Sequence, residues 1–289
     1  MKEAFRDQRI SGAKLVFIGK INLILEEYGL EGYTLTLRQL YYQLVARGII
    51  ENKTSEYSRL GRILVIARMN GLIDWSAIED RIRQPYVPYW VTGIKGAIAD
   101  TVRQYRLDRQ KGQENYIEVW TEKDAVSNVL KRVTRHFHIR LMVNRGYSSC
   151  SAMKEAYERL DLTLSEGQHP VIIYVGDHDP SGLDMVRDIK ERLEEFGAIL
   201  RVKHVALTRE QVEEIKPPPN PAKITDPRAK WYIAEHGPQS WELDALKPSS
   251  LESIVRKQVE YYVNLDIFQG MIEKEKEDKN RMRRSFRDE

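Results

Sequence analysis

This sequence of 289 residues has only one cysteine and no long apolar run. The single cysteine, Cys150, excludes an internal disulfide framework and a cysteine-based zinc site, and it fits a reducing, cytoplasmic setting. Apolar runs such as 15–18 and 63–67 fall far short of the ~18 residues that a membrane-spanning helix needs. No secretory signal is visible at the N-terminus. We therefore expect no membrane partner.

The composition is that of a folded protein with a small, unevenly distributed positive charge. Hydrophobic residues make up 42% of the chain and charged residues 31%, which is enough for a sizeable core, and the length suggests two domains. Residues 1–110 carry a net charge of +5 and residues 111–289 a net charge of −2. A basic front half is either a solvated surface or a contact to the phosphates of a nucleic acid.

The front part of the chain has helical periodicity. Helices are predicted over 11–28, over 36–47 after Thr36, and over about 56–70, where Thr54 or Ser55 can provide the cap. A helix, a turn and a basic helix in about 35 residues are typical of helix-turn-helix and winged-helix DNA-binding modules. Three arginines of the third helix are candidate contacts to nucleic acid: Arg59, Arg62 and Arg68. We therefore predict a mostly helical winged-helix domain over residues 1–90.

A proline- and aromatic-rich joint at 84–93 precedes the second predicted domain, 91–289. In this domain short apolar runs alternate with helical patterns. The predicted strands are 117–120, 140–143, 171–175 and 200–207, and the predicted helices between them are 123–135, 149–160 and 181–196. This alternation predicts an α/β fold with a mostly parallel sheet and helices on both faces.

Acidic residues directly follow two of these strands. Asp177 and Asp179 come after the strand 171–175, and Glu122 comes after the strand 117–120. Open α/β sheets place ligands at the carboxyl ends of their strands, so three carboxylates meet there if the two strands are neighbours. Such carboxylates repel one another unless a cation neutralises them, and their oxygens suit Mg²⁺ or Mn²⁺. The alternative is that these acids only cap the helices that follow.

The order of these acids resembles that of the Toprim domain, which has Glu-Lys after its first strand and Asp-x-Asp-Pro-x-Gly after its third. The segments Glu122–Val126 and Asp177–Gly182 are most similar to the A subunit of topoisomerase VI and its meiotic break-making relatives, and to short stand-alone mini-A proteins. The resemblance covers roughly residues 30–265. It implies a winged helix before a Toprim domain, and cleavage of double-stranded DNA by transesterification.

The resemblance also implies a nucleophile. The attacking tyrosine of that family closes a motif Arg-Asp-Ile-Tyr-Tyr, and residues 38–42 of this chain are Arg-Gln-Leu-Tyr-Tyr. Tyr42 maps onto the nucleophile, and Arg38, one helical turn earlier, can stabilise charge on the attacked phosphate. Tyr41 has the helical spacing of a core residue. The chain departs from the family at Gln39, where the motif has an acid, and at Ser181, where an aromatic residue or histidine is common.

Partners and cofactors follow from the same resemblance. It implies a homodimer in which Tyr42 lies far from Glu122 within one chain and close to it across the interface. The sequence contains no GxxxxGK[ST] phosphate loop, so we expect no ATP site, and ATP-driven strand passage would need a separate ATPase subunit. Glu242 and Asp244, in a weaker match at 241–245, are interpreted as surface or packing residues.

Two other functions remain open at this point. One is a Toprim nuclease that hydrolyses DNA or RNA with a metal-activated water and forms no covalent intermediate. The other is a nucleic-acid-binding protein with a vestigial metal site. An intact carboxylate trio argues against the second, because unused repelling charges are costly to keep together.

Overall fold

The computed structural model describes residues 2–79, 88–144, 146 and 148–285. Its front part contains three helices, α1 (Gly12–Leu30), α2 (Leu37–Ala46) and α3 (Thr54–Met69). They pack around one apolar core, to which all three helices contribute. The three predicted helices are therefore confirmed, with their ends shifted by a few residues.

The starts of α2 and α3 differ in how they are capped. The Thr36 side chain accepts a hydrogen bond from the Gln39 amide, and the Gln39 side chain accepts one from the Thr36 amide. The predicted start of α2 is thus confirmed. The predicted cap of α3 at Thr54 or Ser55 is wrong, because the helix already begins at Thr54 and Lys53 precedes it without a side-chain cap.

The joint between the two predicted domains is only partly described. A single 3-10 turn, Trp75–Ala77, follows α3, and Asp74 caps it. Most of the predicted joint at 84–93 lies outside the described residues, and 88–92 have no regular structure. A helix that the sequence did not predict, α4 (Ile94–Gln104), begins directly after Gly93.

The second part is an α/β fold around a four-stranded sheet. Its strands are β1 (Asn115–Thr121), β2 (Arg140–Val143), β3 (His169–Val175) and β4 (Arg201–Ala206). Their order is β2-β1-β3-β4, and all three pairings are parallel. The predicted α/β class and parallel sheet are therefore confirmed.

Helices cover both faces of this sheet, as predicted. On one face Val119 and Ile173 point into a core formed with α5 (Ser127–Phe137) and α10 (Pro248–Tyr262). On the other face Trp120 and Tyr174 point into a core formed with α6 (Cys150–Ser165) and α7 (Pro180–Glu195). Side chains that alternate between two apolar layers explain why the strands are almost continuously hydrophobic.

The remaining elements bring the last third of the chain back to the carboxyl edge of the sheet. They are α8 (Arg209–Ile215), β5 (Asn220–Pro221), α9 (Ala229–His236), β6 (Gln239–Ser240) and α11 (Leu265–Ser285). β5 and β6 pair antiparallel, and Trp241 pairs with His178 just beyond β3. The 3-10 turn that follows, Leu243–Ala245, packs against α2, and Ala245 joins the core of the helical part. No helix within the described residues is long and apolar enough to span a membrane.

Candidate active site

A cavity of about 850 Å³ lies between α2 and the carboxyl ends of β1 and β3. Five of the predicted site residues line this cavity: Arg38, Tyr42, Glu122, Asp177 and Asp179. Tyr42 and Glu122 therefore border the same cavity within one chain, whereas the family resemblance implies that they lie far apart within a chain. The reason is the contact between α2 and the turn Leu243–Ala245, which holds the tyrosine over the edge of the sheet.

Glu122 and Asp179 are neighbours because β1 and β3 pair directly. Burial raises the pKa of Glu122, and the charge of Asp179 raises it further. Asp179 also caps α7, since its Oδ1 accepts hydrogen bonds from the Gly182 amide at 2.6 Å and from Ser181 Oγ at 2.9 Å. Asp179 can therefore cap α7 through Oδ1 and still present a carboxylate to the cavity.

Asp177 is buried, and each of its two carboxylate oxygens has one partner within the chain. Its Oδ1 accepts a hydrogen bond from the Leu243 amide at 2.7 Å, and its Oδ2 lies 2.8 Å from Lys123 Nζ. Burial raises the pKa of Asp177, whereas Lys123 and the Leu243 amide favour its ionised form. α7 approaches so closely that a Cβ on Gly182 would lie 2.2 Å from the Asp177 carbonyl oxygen, so only glycine fits there.

Lys123 connects the carboxylates of the sheet to those of the turn at 241–245. Its Nζ lies 2.9 Å from Glu242 Oε2 and 2.6 Å from Asp244 Oδ1, in addition to Asp177. Arg38 forms a bidentate pair with Glu242, through Nε at 2.9 Å and Nη2 at 2.5 Å. The result is a continuous network of ion pairs from Asp177 to Arg38.

Sequence reasoning missed that Glu242 and Asp244 belong to this site. Asp244 is buried and forms an ion pair with Arg38, and Glu242 forms one with Lys123. The sequence does show two acids placed two residues apart, as in the Asp177–Asp179 segment. Their pairing with Lys123 could not be predicted, because that residue lies about 120 positions earlier in the sequence.

Removal of the Glu242 charge should flatten the acid dependence of stability. Burial opposes ionisation, but Lys123 and Arg38 outweigh it and lower the pKa of Glu242 from 4.5 to about 2. A lowered pKa stabilises the fold above about pH 4.5, and this contribution is lost as the pH falls towards 2. Glu242→Gln should lose a few kcal/mol at neutral pH and show a shallower decline in that range, measured by urea unfolding. The exposed Glu158, which pairs with Lys154 on α6, provides the control Glu158→Gln, and an equal effect there would contradict this account.

The Tyr42 side chain is buried and its hydroxyl is held in place. Tyr42 Oη accepts a hydrogen bond from Asn220 Nδ2 at 3.0 Å. Burial raises the pKa of this phenol well above its usual value, and Glu242 adds to the rise, while Asn220 and Arg38 oppose it. The phenol is therefore neutral at physiological pH. Tyr41 is buried too, as predicted, and its hydroxyl donates to Asn52 Oδ1 at 2.9 Å.

The residues suit a divalent cation in chemical type, although three carboxylates do not surround one point. No group of three or more His, Cys, Asp or Glu side chains in the described part of the chain is arranged to hold a metal ion. Within the described residues, the carboxylate oxygens of Glu122 and the second oxygen of Asp179 have no hydrogen-bond partner. Among described residues the buried hydroxyl of Tyr174 has no hydrogen-bond partner. Burial is the main cause that raises the pKa of this phenol, and the charges of Glu122, Asp177 and Asp179 raise it further. A hydrated cation between these groups would satisfy both the hydroxyl and the charges.

The three candidate nucleic-acid contacts do not act as one surface. Arg59 and Arg62 are exposed and lie one turn apart on α3, where Arg59 pairs with Glu56 and lies over the Phe17 ring. Arg68 instead donates to the carbonyl oxygens of Trp75 and Ile78 and stacks on the Trp75 ring. Arg68 therefore fastens the turn after α3.

Comparisons with known proteins supply no identification. No protein-family model, no curated protein and no solved structure matches this chain.

Proposed function

We propose that this chain is a winged-helix and Toprim protein of the topoisomerase VI A type, which cleaves double-stranded DNA by tyrosine transesterification. One observation carries the proposal: a phenol, a guanidinium and the carboxylates of two neighbouring strand ends line a single cavity. This combination supplies a nucleophile, a phosphate-binding cation and oxygen ligands for a metal.

In the proposed reaction Tyr42 Oη attacks a phosphorus atom of the DNA backbone. The Tyr42 oxygen–phosphorus bond forms as the bond from phosphorus to the 3′ oxygen breaks. The phenolic proton leaves Tyr42, and the departing 3′ oxygen gains a proton, so that the products are a 5′-phosphotyrosine and a free 3′ hydroxyl. Because the phosphodiester is replaced by another ester, the step is reversible.

Arg38 is the group that would bind the attacked phosphate. Burial lowers its pKa, but Glu242 and Asp244 outweigh this, so the guanidinium stays charged. It is 48% exposed and shares its donors with Glu242 in the resting site. A phosphate entering the cavity competes with Glu242 for the same guanidinium fork. Release of Glu242 then leaves a carboxylate beside the Tyr42 hydroxyl.

Glu122 and Asp179 would hold Mg²⁺ or Mn²⁺, whereas Asp177, the third predicted ligand, pairs with Lys123 in the resting site. When bound, the ion supplies positive charge that stabilises the phosphate during displacement. Lys123 holds Asp177 in place and favours its ionised form. The helix cap fixes the Asp179 carboxylate at the start of α7. The protein thus positions carboxylate oxygens at the carboxyl edge of the sheet, where they can bind a cation.

DNA binding through α3 should depend steeply on salt. Each phosphate contact releases condensed counterions, so affinity for duplex DNA should fall between low and physiological salt. Arg59→Ala combined with Arg62→Ala should weaken binding and reduce the salt slope by about one per lost contact. Arg68→Ala should mainly lower stability, because it removes bonds to two carbonyls. Fluorescence anisotropy and thermal unfolding measure the two effects, and an affinity that ignores salt would contradict this surface.

A second function is favoured by one observation, the buried and neutral state of Tyr42. In a Toprim nuclease, water would be the nucleophile, and a metal held at Glu122 and Asp179 would supply the charge that activates it. Tyr42 would then serve only as the acceptor of the hydrogen bond from Asn220. This reaction leaves no protein on the DNA and does not need the phenolic oxygen.

A cleavage assay with Mg²⁺ on duplex substrates separates the two functions. The products are run on a denaturing gel with and without protease. Transesterification predicts a 5′-linked species that protease converts to free DNA, whereas hydrolysis predicts identical lanes. Any ATP-driven strand passage would depend on a separate ATPase subunit added to the same assay. No cleavage of DNA or RNA would leave a nucleic-acid-binding protein without activity.

A further inference from the structure

The outer face of α1 carries a row of large apolar side chains that face solvent. The inner face buries residues such as Ile21 and Tyr28 in the helical core. On the opposite side Val16 is 65% exposed, Leu23 67% and Leu30 91%. Single exposed apolar residues are ordinary, but three of them at intervals of seven residues form a stripe along one face, which a partner helix can cover.

These outer residues recur with the spacing of a helix-pairing seam. Steps of four and three residues connect the members of this seam: Gly12, Val16, Gly19, Leu23, Glu26 and Leu30. That is a heptad pattern over the full 19-residue helix, about 28 Å long. Apart from the backbone of α1 itself, no atom of the described residues lies within 4 Å of where a Cβ on Gly12 or Gly19 would stand, so a second helix can approach closely there.

The charges of α1 indicate which helix covers the seam. Its lysines, Lys14 and Lys20, lie in the N-terminal half, and its acids, Glu26 and Glu27, lie in the C-terminal half. This is the reverse of the order that the helix dipole favours. A second α1 running antiparallel would place its lysines beside the acids and the negative dipole end of the first. In particular, Lys20 and Glu27 are one heptad apart on the same flank, so each would face the other across the pair.

We propose that α1 pairs with α1 of a second copy of this chain in an antiparallel, two-fold symmetric contact. Such a contact is self-complementary, as a two-fold interface requires. It does not depend on the proposed cleavage reaction. A single helix pair is smaller than the roughly 800 Å² per partner of standard interfaces, so we expect a dimer that dissociates at micromolar concentration.

Sedimentation equilibrium of the full chain over nanomolar to high micromolar concentration tests the proposal. The mass should rise from 33.8 kDa to twice that value. Leu23→Glu should raise the dissociation constant at least about tenfold, because it removes buried apolar area from both copies. Leu162→Glu, at a leucine of α6 that is 60% exposed, is the matched control and should leave it unchanged. A monomer at every concentration, or a dimer that Leu23→Glu does not weaken, overturns the proposal.

Charge reversal distinguishes a second copy from any other occupant. Lys20→Glu and Glu27→Lys should each weaken the dimer, and the double variant should restore it, because the pair is reformed between copies. Glu27 also pairs with Arg47 of its own chain, so circular dichroism melting accompanies each variant. Weakening by each single variant without recovery in the double variant overturns the antiparallel pairing.

Cross-linking tests the orientation separately. In a Cys150→Ser background, Leu23→Cys lies near the middle of the helix and Leu30→Cys at its end. A short bis-maleimide should link two copies at position 23 and fail at position 30 if the helices are antiparallel. Links at both positions indicate parallel helices, and links at neither indicate another interface; both results overturn the proposal.

Discussion

Tyr42→Phe should eliminate covalent protein–DNA adducts while the fold remains almost unchanged. Phenylalanine keeps the ring packed in the helical core but lacks the attacking oxygen. The lost contact is one hydrogen bond from Asn220, worth about 1 kcal/mol. Adducts are measured on denaturing gels with labelled duplex DNA, and folding by thermal unfolding.

The neighbouring tyrosine provides the matched control for this experiment. Tyr41 stacks edge-on against Tyr42 with ring centroids 5.3 Å apart, and its hydroxyl bonds to Asn52 rather than Asn220. Tyr41→Phe should therefore retain adduct formation. If Tyr42→Phe still cleaves DNA like the parent, the transesterase function is excluded and the metal-dependent nuclease replaces it.

Glu122→Gln should reduce cleavage at least about a hundredfold, by either of the two reactions, because it removes an anionic metal ligand without changing the shape of the side chain. The same change should slightly stabilise the metal-free protein at neutral pH. Burial and Asp179 raise the pKa of Glu122, so its ionised form opposes folding above that pKa, and the neutral amide lacks this penalty. Cleavage assays and thermal unfolding measure the two effects.

Asp177→Ala is the instructive contrast. Its carboxylate accepts from the Leu243 amide and pairs with Lys123, so its removal leaves a buried amide unsatisfied at a cost of about 1–3 kcal/mol. We expect this variant to be destabilised as well as inactive. If Glu122→Gln and Asp177→Ala were equally stable, the two acids would have the same environment, which would contradict the structure.

Mixing Tyr42→Phe with Glu122→Gln shows where the site is complete. If one chain supplies the whole cavity, the mixture should form no adducts. Restored cleavage would show that the tyrosine of one protomer acts at the carboxylates of its partner, the arrangement that the family resemblance implies. The comparison is best made above the concentration at which the chain dimerises.

The sheet and half of the site could be predicted because both depend on local pattern. Each apolar run that became β1, β2, β3 or β4 is bounded by turn residues, and the acids sit where a parallel strand ends. The short helices α8 and α9 were missed because their few apolar positions depend on tertiary contacts. Their length gives too little periodicity to recognise.

The rest of the site could not be predicted because it is assembled from distant parts of the sequence. Arg38, Lys123 and Glu242 meet only because the β5–β6 pairing returns the chain to the end of β3 and because α2 packs on the turn that follows. Arg38 was predicted only through the family resemblance, and Lys123 and Glu242 alone look like ordinary surface charges. The same assembly explains why Tyr42 and the carboxylates share a cavity in one chain.

The bidentate pair between Arg38 and Glu242 joins a helix of the front part to the turn beside the sheet. A phosphate that takes Arg38 away from Glu242 therefore removes one of the contacts that hold the two parts of the molecule together. Substrate occupancy and the stability of this junction are then thermodynamically linked, and the linkage is reciprocal. Changes that loosen the junction should make phosphate binding easier, and bound DNA should make the junction easier to open.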